Sequence, residues 1–245
     1  MSSQQESGPR NPGGEGAAGA PAATEPSLHE LCERYRKLYM PAVCDALFEL
    51  GMEEKVLPTW LRPLFPEQRI VGEAFTVEGH DIPRVGWDEG IGRMRSYLEV
   101  FERLTPDSLL VSTTPGGTVG HFGELTANSA RARGCVGVIL DGNLRDIEGL
   151  REIGFQVFYR DLSPLNGIGR WEMIASQEPI SIGGVVVHPG DIVFGEFDGI
   201  LVVPRAHAVE VLEKAEEIVQ AEGRVRGEVR GGDSPWSSFE RHGHI

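Results

Sequence analysis

The sequence predicts an α/β fold with central parallel βαβ units and an antiparallel β region in the C-terminal half. Between residues 108 and 159, short apolar segments suited to buried strands alternate with segments suited to helices. This order is typical of parallel βαβ units. After Trp171, the segments ISIGGVVV and DIVFGEFDGILVV carry the hairpin signals Gly183-Gly184 and Asp198-Gly199. Strands joined by such short turns pair antiparallel, so the two regions are expected to differ in architecture.

The composition indicates a globular protein, and its length allows one sizeable domain or two small ones. The 245 residues are 40% hydrophobic and 24% charged, which are ordinary values for a folded chain. Residues 1–27 are rich in Gly, Ala, Pro, Ser and Glu, a composition typical of a disordered tail. We expect residues 28–245 to form a single domain, in which 222–245 is an extended C-terminal segment with a short helix.

Charge and cysteine content narrow the classes of partner. The formal net charge of −14 disfavours nucleic acid, since proteins that bind phosphate backbones usually present a basic face. No apolar run is long enough to span a bilayer, and the N-terminus lacks the apolar core of a signal peptide. The three cysteines have no CxxC spacing, which is typical of free thiols in a reducing compartment. We therefore expect a cytoplasmic protein that binds neither nucleic acid nor membrane.

Local signals in the first part of the chain predict three helices and a strand. Ser27 and Glu30 have the spacing of a capping box, which favours a helix start. A second helix over 42–50 ends at Gly51, and the FTV within 71–78 favours a strand. A third helix is indicated by apolar residues at helical spacing, namely Ile91, Met94, Leu98 and Phe101.

The alternating centre consists of closely spaced elements. Strands are predicted at 108–112, 135–140 and 156–159, and helices at 124–133 and 147–153. The glycine-rich loop TTPGGTVGHFG precedes the first of these helices, and the loop DGNLRD precedes the second. After the two hairpins we predict a helix over 206–221, a solvated charge-balanced segment, and a short helix capped by Ser234.

The two central loops each deliver an acidic residue to a helix start. Glu124 follows the glycine run, and Asp146 stands beside Arg145. Ligands gather beyond the carboxyl ends of parallel strands, so neighbouring strands would bring these three side chains to one cleft. Free helix amides and a guanidinium both bind carboxylate or keto-acid oxygens. Carboxylates without His or Cys partners suit Mg²⁺ or Mn²⁺. The pattern favours a site for a metal-chelated α-keto acid.

Helix capping is a simpler explanation for the same residues. An aspartate at a helix N-cap is common, and an adjacent arginine can merely cover the surface. The glycine run matches neither GxGxxG nor GxxxxGK[ST], so it does not support a nucleotide site. Residue spacing alone leaves both explanations open.

The segment GHFGELTANSARARGCVGVILDGNLRDIEGL resembles the core of the family named for the regulator of ribonuclease activity A. That family includes the class II 4-hydroxy-4-methyl-2-oxoglutarate/4-carboxy-4-hydroxy-2-oxoadipate aldolases. Its pattern of an acidic residue, twenty positions and Arg-Asp is matched by Glu124 and Arg145-Asp146. The resemblance continues through GFQVFYRDLSPLNGIGRWE and ISIGGVVVHPGDIVFGEFDGILVVP to SSFERHG, and covers about residues 40–245.

The resemblance implies a swivelling β/β/α domain, assembled as a homotrimer or a dimer of trimers with active sites at subunit interfaces. It implies that Asp146 ligates Mg²⁺ or Mn²⁺ and that Glu124 holds metal-bound water. Glu196, in GEFDG, matches an acidic position that reaches across from the neighbouring subunit. Asp198 is better explained as the hairpin residue of its Asp-Gly pair.

The same resemblance assigns the substrate contacts. Arg145 would hold the keto or leaving-group oxygen, and the backbone at Gly123, Leu125 and Thr126 would bind the pyruvyl carboxylate. The sequence departs from the aldolase members in EGHDIPRVGWDEGIGRM and in GHF, which puts His121 beside the pocket. Both departures affect the half of the cleft that holds the leaving fragment, so the substrate itself is not predicted.

The implied activity is a metal-dependent carbon–carbon lyase. Retro-aldol cleavage of a 4-hydroxy-2-oxo acid releases the enolate of pyruvate, and a dication at the keto oxygen stabilises its charge. Oxaloacetate decarboxylation gives the same enolate, so it is expected as a side activity. Two alternatives stay open: a non-catalytic protein that binds and restrains a ribonuclease, and a different lyase or hydrolase of a specialised pathway on the same scaffold.

Overall fold

A ten-stranded mixed sheet forms the centre of the structure, a computed structural model that describes residues 25–243. The strands are β1 (Lys55–Val56), β2 (Arg62–Pro63), β3 (Ile70–Asp81), β4 (Ser108–Thr113), β5 (Gly120–Phe122), β6 (Gly137–Leu144), β7 (Val157–Leu162), β8 (Trp171–Ser176), β9 (Ile180–Ile182), β10 (Val185–Val187), β11 (Ile192–Glu196) and β12 (Gly199–Val203). The helices are α1 (Leu28–Arg36), α2 (Met40–Glu49), α3 (Trp87–Arg103), α4 (Glu124–Ala132), α5 (Ile147–Ile153), α6 (Ala208–Arg230) and α7 (Pro235–His242).

The strand order of the sheet is β1-β12-β11-β3-β4-β6-β7-β2, with β5 added to β6 and β8 to β3. The pairs β3–β4, β4–β6 and β6–β7 are parallel. The pairs β11–β12 and β11–β3 are antiparallel. This sheet confirms the predicted α/β fold, with parallel βαβ units at the centre and antiparallel strands from the C-terminal half.

The two faces of the sheet have different covers. Side chains alternate between faces along a strand, and in β3 the residues Val71, Phe75 and Val77 pack among the helices. Ile70 and Ala74 pack instead on the side of the separate β9–β10 hairpin. The layers therefore follow the order hairpin, sheet, helices, which matches the β/β/α arrangement implied by the resemblance.

The predicted N-terminal helix start is confirmed. Ser27 caps α1 by accepting a hydrogen bond from the backbone nitrogen of Glu30 at 3.3 Å, and the Glu30 carboxylate accepts one from the Ser27 backbone nitrogen at 2.9 Å. Helix α2 ends just before Gly51, whose φ is 69°. Residues 1–24 of the predicted tail lie outside the described part of the chain.

The prediction of a loop at DGNLRD is wrong for its first four residues. Strand β6 extends beyond the end of β4 and continues to Leu144, because the short strand β5 pairs with it there in parallel. Strand β5 was not predicted. Gly120 lies opposite Asn143, and Phe122 lies opposite Leu144. The loop is thereby reduced to Arg145 and Asp146.

Two C-terminal predictions also need correction. The charge-balanced segment after residue 221 belongs to α6, which continues to Arg230 because Ala221 and Val225 are buried on its inner side. In the second hairpin Glu196 lies opposite Gly199, so Phe197 and Asp198 form the turn. The short C-terminal helix α7 is confirmed with Ser234 at its N-cap, although the serine side chain makes no capping bond. Among residues 25–243, no helix is both long and apolar enough to cross a membrane.

Candidate functional site

The structure brings the two predicted loop tips together. Because β5 and β6 run parallel with Phe122 opposite Leu144, the residues that follow them leave the sheet side by side. The Arg145 backbone nitrogen donates to the Phe122 carbonyl at 3.0 Å. A Cβ added at Gly123 would collide with Oδ2 of Asp146 and lie 2.9 Å from Cγ of Arg145. Glycine is therefore required at 123 for the loops to approach so closely.

Asp146 adopts a left-handed backbone conformation, which is uncommon for residues other than glycine. It is the N-cap residue of α5 with φ 59° and ψ 43°, in the left-handed region, and its side chain makes no capping hydrogen bond. The side chain is 39% exposed, and each carboxylate oxygen lies 3.2 Å from Nε of Arg145. Capping therefore does not explain Asp146. Its carboxylate faces the Gly123 loop and remains open on one side.

The side chain of Arg145 lies close to the other loop, at Gly123. Its Nε is the nitrogen that faces Asp146, and among residues 25–243 its two Nη atoms have no hydrogen-bond partner. The chain around it is tightly packed, since a Cβ at Gly120 would lie 3.1 Å from Cβ of Arg145. The guanidinium thus keeps donors available for an oxygen of a bound molecule.

The first turn of α4 supplies further donors. The first helical bond runs from the Ala127 nitrogen to the Gly123 carbonyl at 3.0 Å, so the amides of residues 124–126 have no partner within the helix. The Thr126 hydroxyl is occupied with Gly123, where it accepts from the nitrogen at 3.0 Å and donates to the carbonyl at 2.8 Å. The amides of Leu125 and Thr126 can therefore donate hydrogen bonds to an anion at the mouth of the cleft.

Glu124 points away from this group of donors. Its Oε1 accepts a hydrogen bond from Nδ2 of Asn128 at 3.1 Å. A Cβ at Gly149 of α5 would lie 2.7 Å from Cγ of Glu124, so the side chain packs against that helix. Glu124 does not line the cleft that contains Asp146, and its role beside a metal stays a prediction.

The cleft has a volume of about 330 Å³ and two chemically different ends. Its polar end consists of the residues already described. Its other end is apolar apart from Asn166, and its individual residues were not predicted; they are Trp87, Met94, Leu98, Asn166, Gly167 and Ile168. The segment EGHDIPRVGWDEGIGRM, which was expected to affect the half of the cleft that holds the leaving fragment, contains Trp87 and Met94.

His121 is buried and also lines the cleft. Its ring stacks on Trp171 with centroids 4.6 Å apart and an interplanar angle of 6°. Its Nε2 lies 3.3 Å from the Ser112 hydroxyl, whereas Nδ1 has no partner within the described chain. Burial lowers the pKa of His121 to about 4. The imidazole is therefore neutral at pH 7.

Glu196 lies in a different part of the molecule. One of its oxygens accepts from the Met40 backbone nitrogen at 2.8 Å, and the other accepts from Nε of Arg69 at 2.8 Å. It lines a separate depression with Phe197 and Asp198. Within one chain it therefore does not join Asp146, and its contribution to a neighbouring subunit stays a prediction.

The residues present fit a magnesium site of low protein ligand number. No group of three or more His, Cys, Asp or Glu side chains that could hold a metal occurs within residues 25–243. Mg²⁺ commonly takes one or two carboxylates and completes its octahedron with water and substrate oxygens. The open carboxylate of Asp146, beside a glycine that leaves room for it, suits that coordination.

Comparison with known proteins finds two relatives that align with most of this chain. The chain is 28% identical over 195 residues to protein DlpA of Legionella pneumophila, covering 78% of this chain but 30% of DlpA. It thus spans less than a third of that relative's length. It is 28% identical over 189 residues to a protein of Halalkalibacterium halodurans named "Putative 4-hydroxy-4-methyl-2-oxoglutarate aldolase", covering 75% of this chain and 81% of that protein.

A solved structure shares the fold. The crystal structure of Streptomyces coelicolor RraAS2, described as an unusual member of the RNase ES inhibitor RraA protein family, superposes with a TM-score of 0.68 at 26% identity. The match covers 80% of this chain and 96% of that one. A family model described as RraA-like, Aldolase/RraA, matches residues 40–202, which include both converging loop tips and the hairpin with Glu196. The chain therefore belongs to the RraA-like family.

Proposed function

We propose that the cleft at Asp146 binds a divalent cation and cleaves a carbon–carbon bond of a 4-hydroxy-2-oxo acid, releasing pyruvate. Oxaloacetate decarboxylation is the expected side activity. The observation that carries this proposal is the Asp146 carboxylate, held in a left-handed backbone without a capping bond and facing a glycine. Unfavourable backbone conformations persist where the surrounding structure imposes them, often at functional sites. The name of the Halalkalibacterium relative supports the same reaction class.

Each cleft residue has a role in this reaction. The amides of Leu125 and Thr126 bind the substrate carboxylate, and the free Nη atoms of Arg145 hold the keto oxygen. Mg²⁺ or Mn²⁺ on Asp146 would supply positive charge for the enolate. The proton of the C4 hydroxyl must leave as the C3–C4 bond breaks, and a carboxylate suits that step. The two candidates are Glu124, whose side chain would have to turn from Asn128 toward the cleft, and Glu196 of a neighbouring subunit.

The proposed assembly follows from the second candidate. A homotrimer, or a dimer of trimers, would place Glu196 of one subunit near the cleft of the next. Within one chain the cleft lacks a second acid beside Asp146 among its described lining residues. An assembly of this kind would complete it.

The test follows pyruvate release from oxaloacetate and from 4-hydroxy-4-methyl-2-oxoglutarate, with Mg²⁺ and with EDTA. We expect release that depends on Mg²⁺ and falls on the order of 10³-fold in Asp146→Asn. Asparagine tolerates the left-handed conformation, so the variant isolates the charge. The matched control is Glu148→Gln, an exposed acid on the same helix, which should retain activity.

The outcome also separates the proposal from its rival. If neither substrate yields Mg²⁺-dependent pyruvate, the lyase proposal fails and the ribonuclease-binding alternative gains. Retained activity in Asp146→Asn would show that the metal ligand is another residue.

A further inference from the structure

The apolar end of the cleft is formed largely by helix α3. Trp87 and Leu98 are 61% and 52% exposed, and Leu125 of α4 is 81% exposed. All three line the same cleft as Arg145 and Asp146. Large apolar side chains that converge on a polar site usually contact a ligand or a partner. In this cleft the exposed apolar side chains adjoin the groups proposed to bind the pyruvyl part of the substrate.

The exposure of these residues has a local cause. Helix α3 buries Met94, Tyr97 and Phe101 in the core beneath it. Trp87 and Leu98 lie eleven residues apart, which is close to three full helical turns, so they share a second apolar stripe. This stripe does not contribute to the core, because Met94, Tyr97 and Phe101 on the other side of α3 already pack against the sheet.

The apolar end lacks a positive charge for a second acid group. Arg145 is the only Lys or Arg among the described cleft residues, and it belongs to the polar end. His121, the other basic side chain there, is neutral at pH 7 because burial lowers its pKa to about 4. A carboxylate placed against Trp87 and Leu98 would lose hydration without gaining a cationic partner.

We propose that the C4 substituent of the substrate is apolar, so that the fragment released with pyruvate is an aliphatic or aromatic aldehyde or ketone. This inference rests on the proposed function and specifies its substrate class. The C4 hydroxyl loses its proton, the C3–C4 bond breaks, and its electron pair forms the enolate. Protonation of the enolate at C3 gives pyruvate, and C4 becomes the carbonyl carbon of the apolar fragment.

The first experiment compares two substrates that differ at C4. We expect kcat/KM for 4-hydroxy-2-oxo-4-phenylbutanoate to exceed that for 4-hydroxy-4-methyl-2-oxoglutarate by about 100-fold. Equal values, or a preference for the dicarboxylate, would overturn the inference. Oxaloacetate is the reference: if it is decarboxylated with Mg²⁺ while the phenyl substrate is not preferred, the lyase proposal stands and only the substrate class fails.

The second experiment places a cation in the apolar end. Leu98→Arg should lower kcat/KM for the phenyl substrate about tenfold and raise it for the dicarboxylate, and oxaloacetate decarboxylation is measured as the third rate. The matched control is Phe48→Arg, at an α2 side chain that is 72% exposed and outside the cleft. It should change none of the three rates.

The mass of the assembly in solution is measured in parallel. A loss of mass in Leu98→Arg, together with an equal fall for all three substrates, would show that the stripe is a subunit contact. That result would overturn the substrate inference.

Discussion

Asp146 and Glu196 are both acids at the ends of strands, yet their surroundings differ. Both oxygens of Glu196 accept hydrogen bonds within its own chain, and the residue is 9% exposed. Among residues 25–243, Asp146 has only the nearby Nε of Arg145 as a partner for its side chain, which is 39% exposed. Its backbone occupies the left-handed region, whereas Glu196 lies in a regular antiparallel ladder.

The contrast distinguishes a carboxylate that stabilises the fold from one that is free to bind a cation. Glu196 ties β11 to Arg69 and to the start of α2, so its charge is already compensated. Asp146 is held in a costly conformation and gains no capping bond in return. A carboxylate in that state is available to a cation, and this is why the proposed site is centred on Asp146.

After removal of the Asp146 charge itself, the largest effect should come from closing the space beside it. In Gly123→Ala the new methyl group would displace the Asp146 carboxylate, and we expect pyruvate release to fall about 100-fold. The measurement is steady-state pyruvate formation from oxaloacetate. The control is Gly227→Ala, where no atom lies within 4 Å of the added Cβ. Full activity in Gly123→Ala would contradict the close approach of the two loops.

A smaller effect is expected from Glu196. Glu196→Gln removes a charge-assisted hydrogen bond, and we expect activity to fall about tenfold. The decisive measurement mixes this variant with Asp146→Asn and allows subunits to exchange. If Glu196 serves the neighbouring cleft, mixed assemblies contain some intact sites and release more pyruvate than either parent. Absence of such recovery would confine Glu196 to its own subunit.

The smallest effect concerns stability. Glu196→Gln should lower the free energy of unfolding by about 1 to 2 kcal/mol, because Arg69 loses its ionic partner. Asp146→Asn should change it by less than about 0.5 kcal/mol, since no capping bond is lost. Urea titrations of both variants give the comparison. A loss of about 1 kcal/mol or more in Asp146→Asn would restore the capping explanation.

The central fold was predictable because its signals are local. Strand β4 and the helices α4 and α5 follow from apolar runs, glycines and capping residues that lie close together in sequence. The position of β11 beside β3 was not predictable in this way. That pairing joins segments more than a hundred residues apart, and its register depends on packing against α2 and α6.

The site was predictable only in part. Arg145 and Asp146 follow from their position after a buried strand, but the direction of Glu124 depends on its contact with Gly149 in α5. The segment leading into α3 was expected to affect the cleft, but the individual side chains of the α3 wall were not predicted, because helical spacing of apolar residues resembles an ordinary core face. Ile91 and Leu98 satisfy that spacing and are nevertheless 49% and 52% exposed. The spacing of apolar residues shows that a helix is amphipathic. It does not show whether the apolar side packs on the core, lines a cleft or contacts another molecule.

The β5–β6 ladder has a consequence for how this scaffold can diversify. The positions of Gly123 and Arg145 are set by main-chain pairing between Phe122 and Leu144. Main-chain hydrogen bonds of this kind do not depend on which side chains are present elsewhere in the cleft. Mutations along α3 can therefore remodel one wall while the proposed centre at Asp146 keeps its alignment. A cleft built this way can change the molecules it accepts without moving the groups at its polar end.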